Sequence, residues 1–194
     1  MWCVWDAGIE GKVRFALASL AGVHAFYAWR ARHNRRMSLP RVSIQTDDFD
    51  VTAELAALRA DDARVGAVCA FVGTVREHSD GQAVSMMELE HYPGMTEKAI
   101  EAMIDEAQRR FGIYRTRVVH RVGPLRLQDQ IVLVAVTAAH RGESFRACEF
   151  LIDYLKTQAP FWKKEQTPEG ARWVDARAAD DAALARWGVQ ARNA

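Results

Sequence analysis

From residue 38 onward the apolar and polar positions switch between two periods, and each switch marks an element. Arg41 to Gln45 alternates as a short strand, and Asp50 or Thr52 caps a helix that carries Val51, Leu55 and Leu58 on one face. Val65 to Val72 is a nearly continuous apolar run, the pattern of a buried strand. It ends in Gly73-Thr74-Val75-Arg76, after which Glu77 to Gln82 form a polar loop. Val84 to Glu90 is a further strand and Pro93-Gly94 a turn. Thr96 caps a helix with Ile100, Met103, Ile104, Ala107 and Phe111 at helical spacing, closed by Gly112. Thr116 to Val122 and Ile131 to Ala138 read as strands, with a break at Gly123-Pro124. Ser144 then caps a long helix on the stripe Phe145, Cys148, Leu151, Ile152 and Leu155, and Pro160 stops it at Ala159. A cationic loop through Phe161 to Glu165, a turn at Thr167 to Gly170, a strand from Arg172 to Ala176 and a short helix from Ala179 to Trp187 complete the pattern. Strands and helices do not alternate strictly, so residues 38–190 are expected to form one α+β domain and not a doubly wound sheet.

Residues 1–37 stand apart as an N-terminal extension. Their apolar middle, Phe15 to Trp29, is shorter than the roughly 20 residues of a membrane span and is interrupted by Gly22 and His24. A signal peptide and a basic amphipathic arm are the alternatives, and the preferred reading is that the folded protein begins near Met37. Lys12, Arg14, Arg30, Arg32, Arg35 and Arg36 face only Asp6 and Glu10 there, so the formal net charge of +1 for the whole chain conceals an acidic remainder. Nothing global points to nucleic acid, and no membrane role is expected. Cys3, Cys69 and Cys148 form no C-x-x-C pair, and their odd number argues against a disulfide framework. The expected compartment is therefore the cytoplasm. The six histidines show no zinc spacing, so no metal is expected.

The candidate chemistry lies at strand ends and in the loop after the long helix. Gly73 ends a strand where backbone can approach a ligand, and Arg76 offers a fork for phosphate or carboxylate. His140 and Arg141 sit where a strand feeds a helix N-terminus, a place suited to an anion. Lys156, Lys163 and Lys164 accompany Tyr154, Phe161 and Trp162, and Arg177 follows the last strand. Each alone fits a solvated turn or a helix end as well as a site. Together they suit a small anionic ligand, phosphorylated, better than a nucleic acid.

At this point the chain resembles a known family. Phe71-Val72-Gly73-Thr74-Val75-Arg76, Leu89-Glu90-His91-Tyr92-Pro93-Gly94-Met95, Ala139-His140-Arg141, and Asp153-Tyr154-Leu155-Lys156 through Trp162-Lys163-Lys164-Glu165 are similar, in order, to blocks of the large, catalytic subunit of molybdopterin synthase. The resemblance runs from about Val42 to Trp187. It implies an α/β-hammerhead fold and a sulfurtransferase that converts cyclic pyranopterin monophosphate into molybdopterin. Sulfur would come from the C-terminal Gly-Gly thiocarboxylate of a small ubiquitin-like subunit, in a heterotetramer built on a homodimer of large subunits. It implies Lys156 as the catalytic lysine with Lys163 beside it. It also implies substrate binding by Thr74, Val75, Arg76, His140, Arg141, Lys163, Lys164 and Glu165, an Arg177 that reaches the neighbouring subunit's site, and no cofactor. Crowding by Arg141 and Lys163 would favour the neutral amine of Lys156, as proton shuttle or transient nucleophile. The alternative is a non-catalytic module that only docks a Gly-Gly tail; it would tolerate arginine at Lys156, whereas a catalyst needs a titratable amine.

Overall fold

Four strands make the central sheet, in the order β1-β6-β8-β2: β1 is Val42–Gln45, β6 is Arg115–Arg121, β8 is Gln130–Ala138 and β2 is Ala67–Thr74. β1 and β6 run parallel and the other neighbours antiparallel. The computed structural model describes residues 39–79, 82–174 and 178–188, so the N-terminal extension lies outside the described residues. Helices cover both faces of this sheet, as alternation along β6 and β8 requires. On one face Val119, Leu133 and Ala135 meet Val51, Leu55 and Leu58 of helix α1 (Val51–Arg59), whose first turn Asp50 caps through Ala53 N–H at 3.0 Å. On the other, Val118, Val134 and Val136 meet Ile100, Met103 and Ile104 of α2 (Met95–Phe111) and Cys148, Leu151 and Leu155 of α3 (Arg141–Gln158).

A second, antiparallel sheet has the order β10-β9-β5-β7. Here β5 is Met86–His91, β7 is Gly123–Arg126, β9 is Phe161–Thr167 and β10 is Gly170–Val174. Val75, just past β2, joins Met87, Leu89 and Leu125 in a small core under its inner face. A two-stranded ribbon, β3 (His78–Ser79) with β4 (Gln82–Ala83), and a last helix, α4 (Ala178–Ala185), complete the described elements. The result is the expected mixture of α and β with segregated, mainly antiparallel strands.

Five local expectations are corrected. The run Val65 to Val72 is not buried on both faces: β2 is an edge strand, and Val68 and Phe71 are 37% and 39% exposed. The cationic stretch after Pro160 is a strand and not a loop, because sheet partners on both sides satisfy its backbone. Gly123-Pro124 opens β7 instead of only breaking a strand, Gly123 supplying the left-handed turn at φ 81. Ser144 does not cap α3; the helix begins at Arg141 and the Ser144 hydroxyl donates back to Arg141 O at 3.0 Å. Thr96 likewise sits inside the first turn of α2, behind Gly94 at φ 80. No helix among the described residues is long and apolar enough to cross a membrane.

Candidate functional site

Lys156 lies in the last turn of α3, where a cation complements the carbonyl end of the helix dipole. Residue 158 ends the helix, Pro160 prevents its continuation, and the chain enters β9 at Phe161. Alternation along β9 turns Phe161, Lys163, Glu165 and Thr167 toward the inner face of the second sheet, and Trp162, Lys164 and Gln166 away. Lys163 and Glu165 therefore face inward with Val75, Met87 and Leu89, whereas Lys164 stands on the opposite face with its ammonium 5.5 Å from the centre of the Trp173 ring.

Charge pairing then fixes the inner face. Glu165 is only 1% exposed, and its two oxygens meet Lys163 Nζ at 2.9 Å and Arg172 Nη2 at 3.2 Å. A carboxylate so enclosed is stable only when both oxygens are paired, and here it holds Lys163 in one direction. Lys156 is more exposed, and its Nζ lies 3.2 Å from Asp180 Oδ1 on α4. That helix is anchored by the residues after it: Trp187 Nε1 donates to Asp153 Oδ2 at 2.8 Å, and the Trp187 ring packs edge-on against Phe150 at 5.6 Å.

Chain direction sorts the other candidates into two groups. β2 and β8 are antiparallel, with Ala67 beside Ala138 and Thr74 beside Gln130, and α3 returns along β8. Thr74, Val75 and Arg76 thus lie at the end of the sheet toward which α3 runs. A bulge at Gly73/Thr74 turns the strand toward the second sheet; Val75 is held by its N–H to Asp129 O at 3.0 Å, and Thr74 and Arg76 remain exposed. His140 and Arg141, also exposed, stand at the other end of α3. Fifteen helical steps separate Arg141 from Lys156, a rise of about 22 Å. Within one chain Arg141 therefore does not crowd Lys156, and among the described residues that amine pairs with the Asp180 carboxylate. Arg177 lies outside the described residues.

The two described cysteines do not enter this arrangement as nucleophiles. Cys148 is buried, and burial pushes its thiol well above the ordinary range; Cys69 is half-buried beside it. Sequence reasoning missed Asp180, Arg172 and two residues behind the turn, Thr96 and His120. Their roles depend on pairings across the fold that leave no local signature. Among the described residues no group of three or more His, Cys, Asp or Glu is arranged to hold a metal ion.

Comparison with known proteins adds to this geometry. The family model described as MoaE protein matches residues 44–158. The molybdopterin synthase catalytic subunit of Ralstonia nicotianae is 60% identical over 156 residues, covering 80% of this chain and 89% of the relative. The solved molybdopterin biosynthesis MoaE protein of Burkholderia ambifaria is 60% identical with a TM-score of 0.68, covering 78% of this chain and all of that one. The molybdopterin synthase of Staphylococcus aureus is 32% identical with a TM-score of 0.65, covering 70% of this chain and 98% of that one.

Proposed function

This chain belongs to the MoaE protein family, and from that premise we propose that it is the catalytic subunit of a molybdopterin synthase, moving sulfur from the C-terminal thiocarboxylate of a small ubiquitin-like subunit onto cyclic pyranopterin monophosphate. The observation that carries the reading is the turn at Pro160, which sets Lys156 at a helix end and Lys163 on an adjoining strand, with Thr74 to Arg76 delivered to the same end of the sheet. Arg76 and Lys156 present exposed cationic groups that suit a phosphate and a thiocarboxylate. Lys156 already donates to one anionic oxygen, that of Asp180, and a thiocarboxylate carries the same charge. Its sulfur bonds to a side-chain carbon of the pterin as that carbon's bond to a phosphate oxygen breaks, and water then cleaves the resulting thioester to release the partner's carboxylate; negative charge develops on oxygen in both steps, and fixed cations stabilise it. Lys156 supplies or removes the proton, and Lys163, oriented by buried Glu165, adds a second cation from the strand that follows the Lys156 helix. In this account Glu165 acts through Lys163 and does not touch substrate.

His140 and Arg141 enter the same reading through a second copy of the chain. A symmetric pair that places two copies of α3 antiparallel would bring these residues of one subunit to Lys156 of the other, and a small subunit would dock at each end. The substrate of the step is the pterin phosphate, and no cofactor is assigned. The test is single-turnover conversion of cyclic pyranopterin monophosphate by the chain with its thiocarboxylated partner, against Lys156→Ala and Lys156→Arg. The native chain should form molybdopterin, and both variants should be slowed by at least about 100-fold, the scale of a positioned proton-transfer group. Native turnover by Lys156→Arg would contradict the assignment, and a native chain that binds the tail without turnover would reduce the site to a docking module.

A further inference from the structure

Two buried polar side chains outside the assigned site close on the turn between the two lysines. Thr96, in the first turn of α2, is fully buried. Its Oγ1 accepts the Tyr92 N–H at 3.1 Å, which aims its own proton at Pro160 O, also at 3.1 Å. His120, at the end of β6, is 8% exposed and lays its ring flat on the Phe161 ring, centroids 3.8 Å apart and planes 16° from parallel. Its Nδ1 lies 2.8 Å from Arg121 O, so that nitrogen donates and the ring plane is fixed. His91 flanks Phe161 from β5, its ring centre 6.5 Å away. One clamp therefore holds the carbonyl of residue 160 and the other the side chain of residue 161, the two residues through which α3 becomes β9.

We propose that Thr96 and His120 are positioning residues that set Lys156 against Lys163 by gripping the Pro160-Phe161 turn; this rests on the assignment of those lysines to the reaction. Thr96 does so through a single hydroxyl proton, and valine fills the same space without it. Misplacement of a reacting group by about 1 Å costs on the order of 100-fold in rate, so a loosened turn is felt in turnover before it is felt in binding.

The test uses the full chain with its thiocarboxylated partner and the variants Thr96→Val, Thr96→Ser and His120→Leu. Thr96→Val and His120→Leu should lower kcat by about tenfold or more while KM for the pterin stays within about twofold, and Thr96→Ser should restore turnover. A second readout needs no activity: the relative rates of reductive methylation at Lys156 and Lys163, measured by mass spectrometry on folded protein, should shift in Thr96→Val and return in Thr96→Ser. Native turnover and native lysine reactivities in Thr96→Val would overturn the proposal, as would a loss of turnover accounted for entirely by a smaller folded fraction. If the native chain turns nothing over but the reactivities shift as described, the clamp stands and the sulfur-transfer reading falls.

Discussion

His120 shows how far a single side chain depends on its surroundings. Burial, opposed by the hydrogen bond to Arg121 O and aided by nearby His91, holds its pKa down at about 4 against an ordinary 6.5. Between those values the unfolded chain takes up a proton that the folded chain refuses. Stability is therefore fullest above about pH 6.5 and falls as the pH drops toward 4, by at most about 3 kcal/mol from this group. Urea unfolding from pH 7 to 4 should show this loss in the native chain and a shallower slope in His120→Leu; parallel slopes would contradict it. At this scale the sequence was legible where a residue advertises itself by type and place. Lys156 before a proline, Lys163 after it and Arg76 beyond a strand-ending glycine could all be picked out as candidates. Thr96 and His120 could not, because a threonine near a helix start and a histidine in an apolar strand become a clamp only when Pro160 and Phe161 arrive from 64 and 41 positions away in the sequence. Asp180 was hidden for the same reason.

Among the elements, the periods of the chain located all of the long helices and most strands, and the errors share a cause. Alternation in Phe161 to Thr167 was masked by its charges, since half-buried Lys163 and buried Glu165 face inward as an ion pair where a strand ordinarily carries apolar side chains. The apolar run of β2 suggested two covered faces, yet the sheet order leaves that strand at an edge. Elements also meet at points of no tolerance. Gly66 donates to Ala138 O at 3.0 Å where β2 leaves β8, and a methyl group there would lie 2.2 Å from Ala139 O, the residue before His140. Gly66→Ala should destabilise by about 1–3 kcal/mol and lower the melting temperature, because only backbone can give way. Gly142→Ala, with nothing within 4 Å, should melt at or slightly above the native temperature. Equal melting of the two variants would show that the junction yields more readily than the packing implies.

On the scale of the whole molecule, the fold delivers the assigned residues in two groups, at opposite ends of α3. The sequence reads as placing Arg141 ahead of a helix capped by Ser144 and crowding Lys156; the helix instead begins at Arg141, and the separation excludes crowding within one chain. What the sequence did not contain is that β2 lies at a sheet edge with Phe71 39% exposed, because strand order exists only in three dimensions. In the proposed assembly Lys156 of one copy works with Arg141 of another. The most direct measurement mixes two inactive variants, Lys156→Ala and Arg141→Ala, under conditions that exchange subunits, and assays conversion of the pterin with thiocarboxylated partner. In a random mixture half of the pairs are mixed, and each mixed pair holds one intact site, so activity should return to about a quarter of the native value. No recovery above the separate variants, with exchange verified by mass, would show that Lys156 and Arg141 of different copies do not share a site.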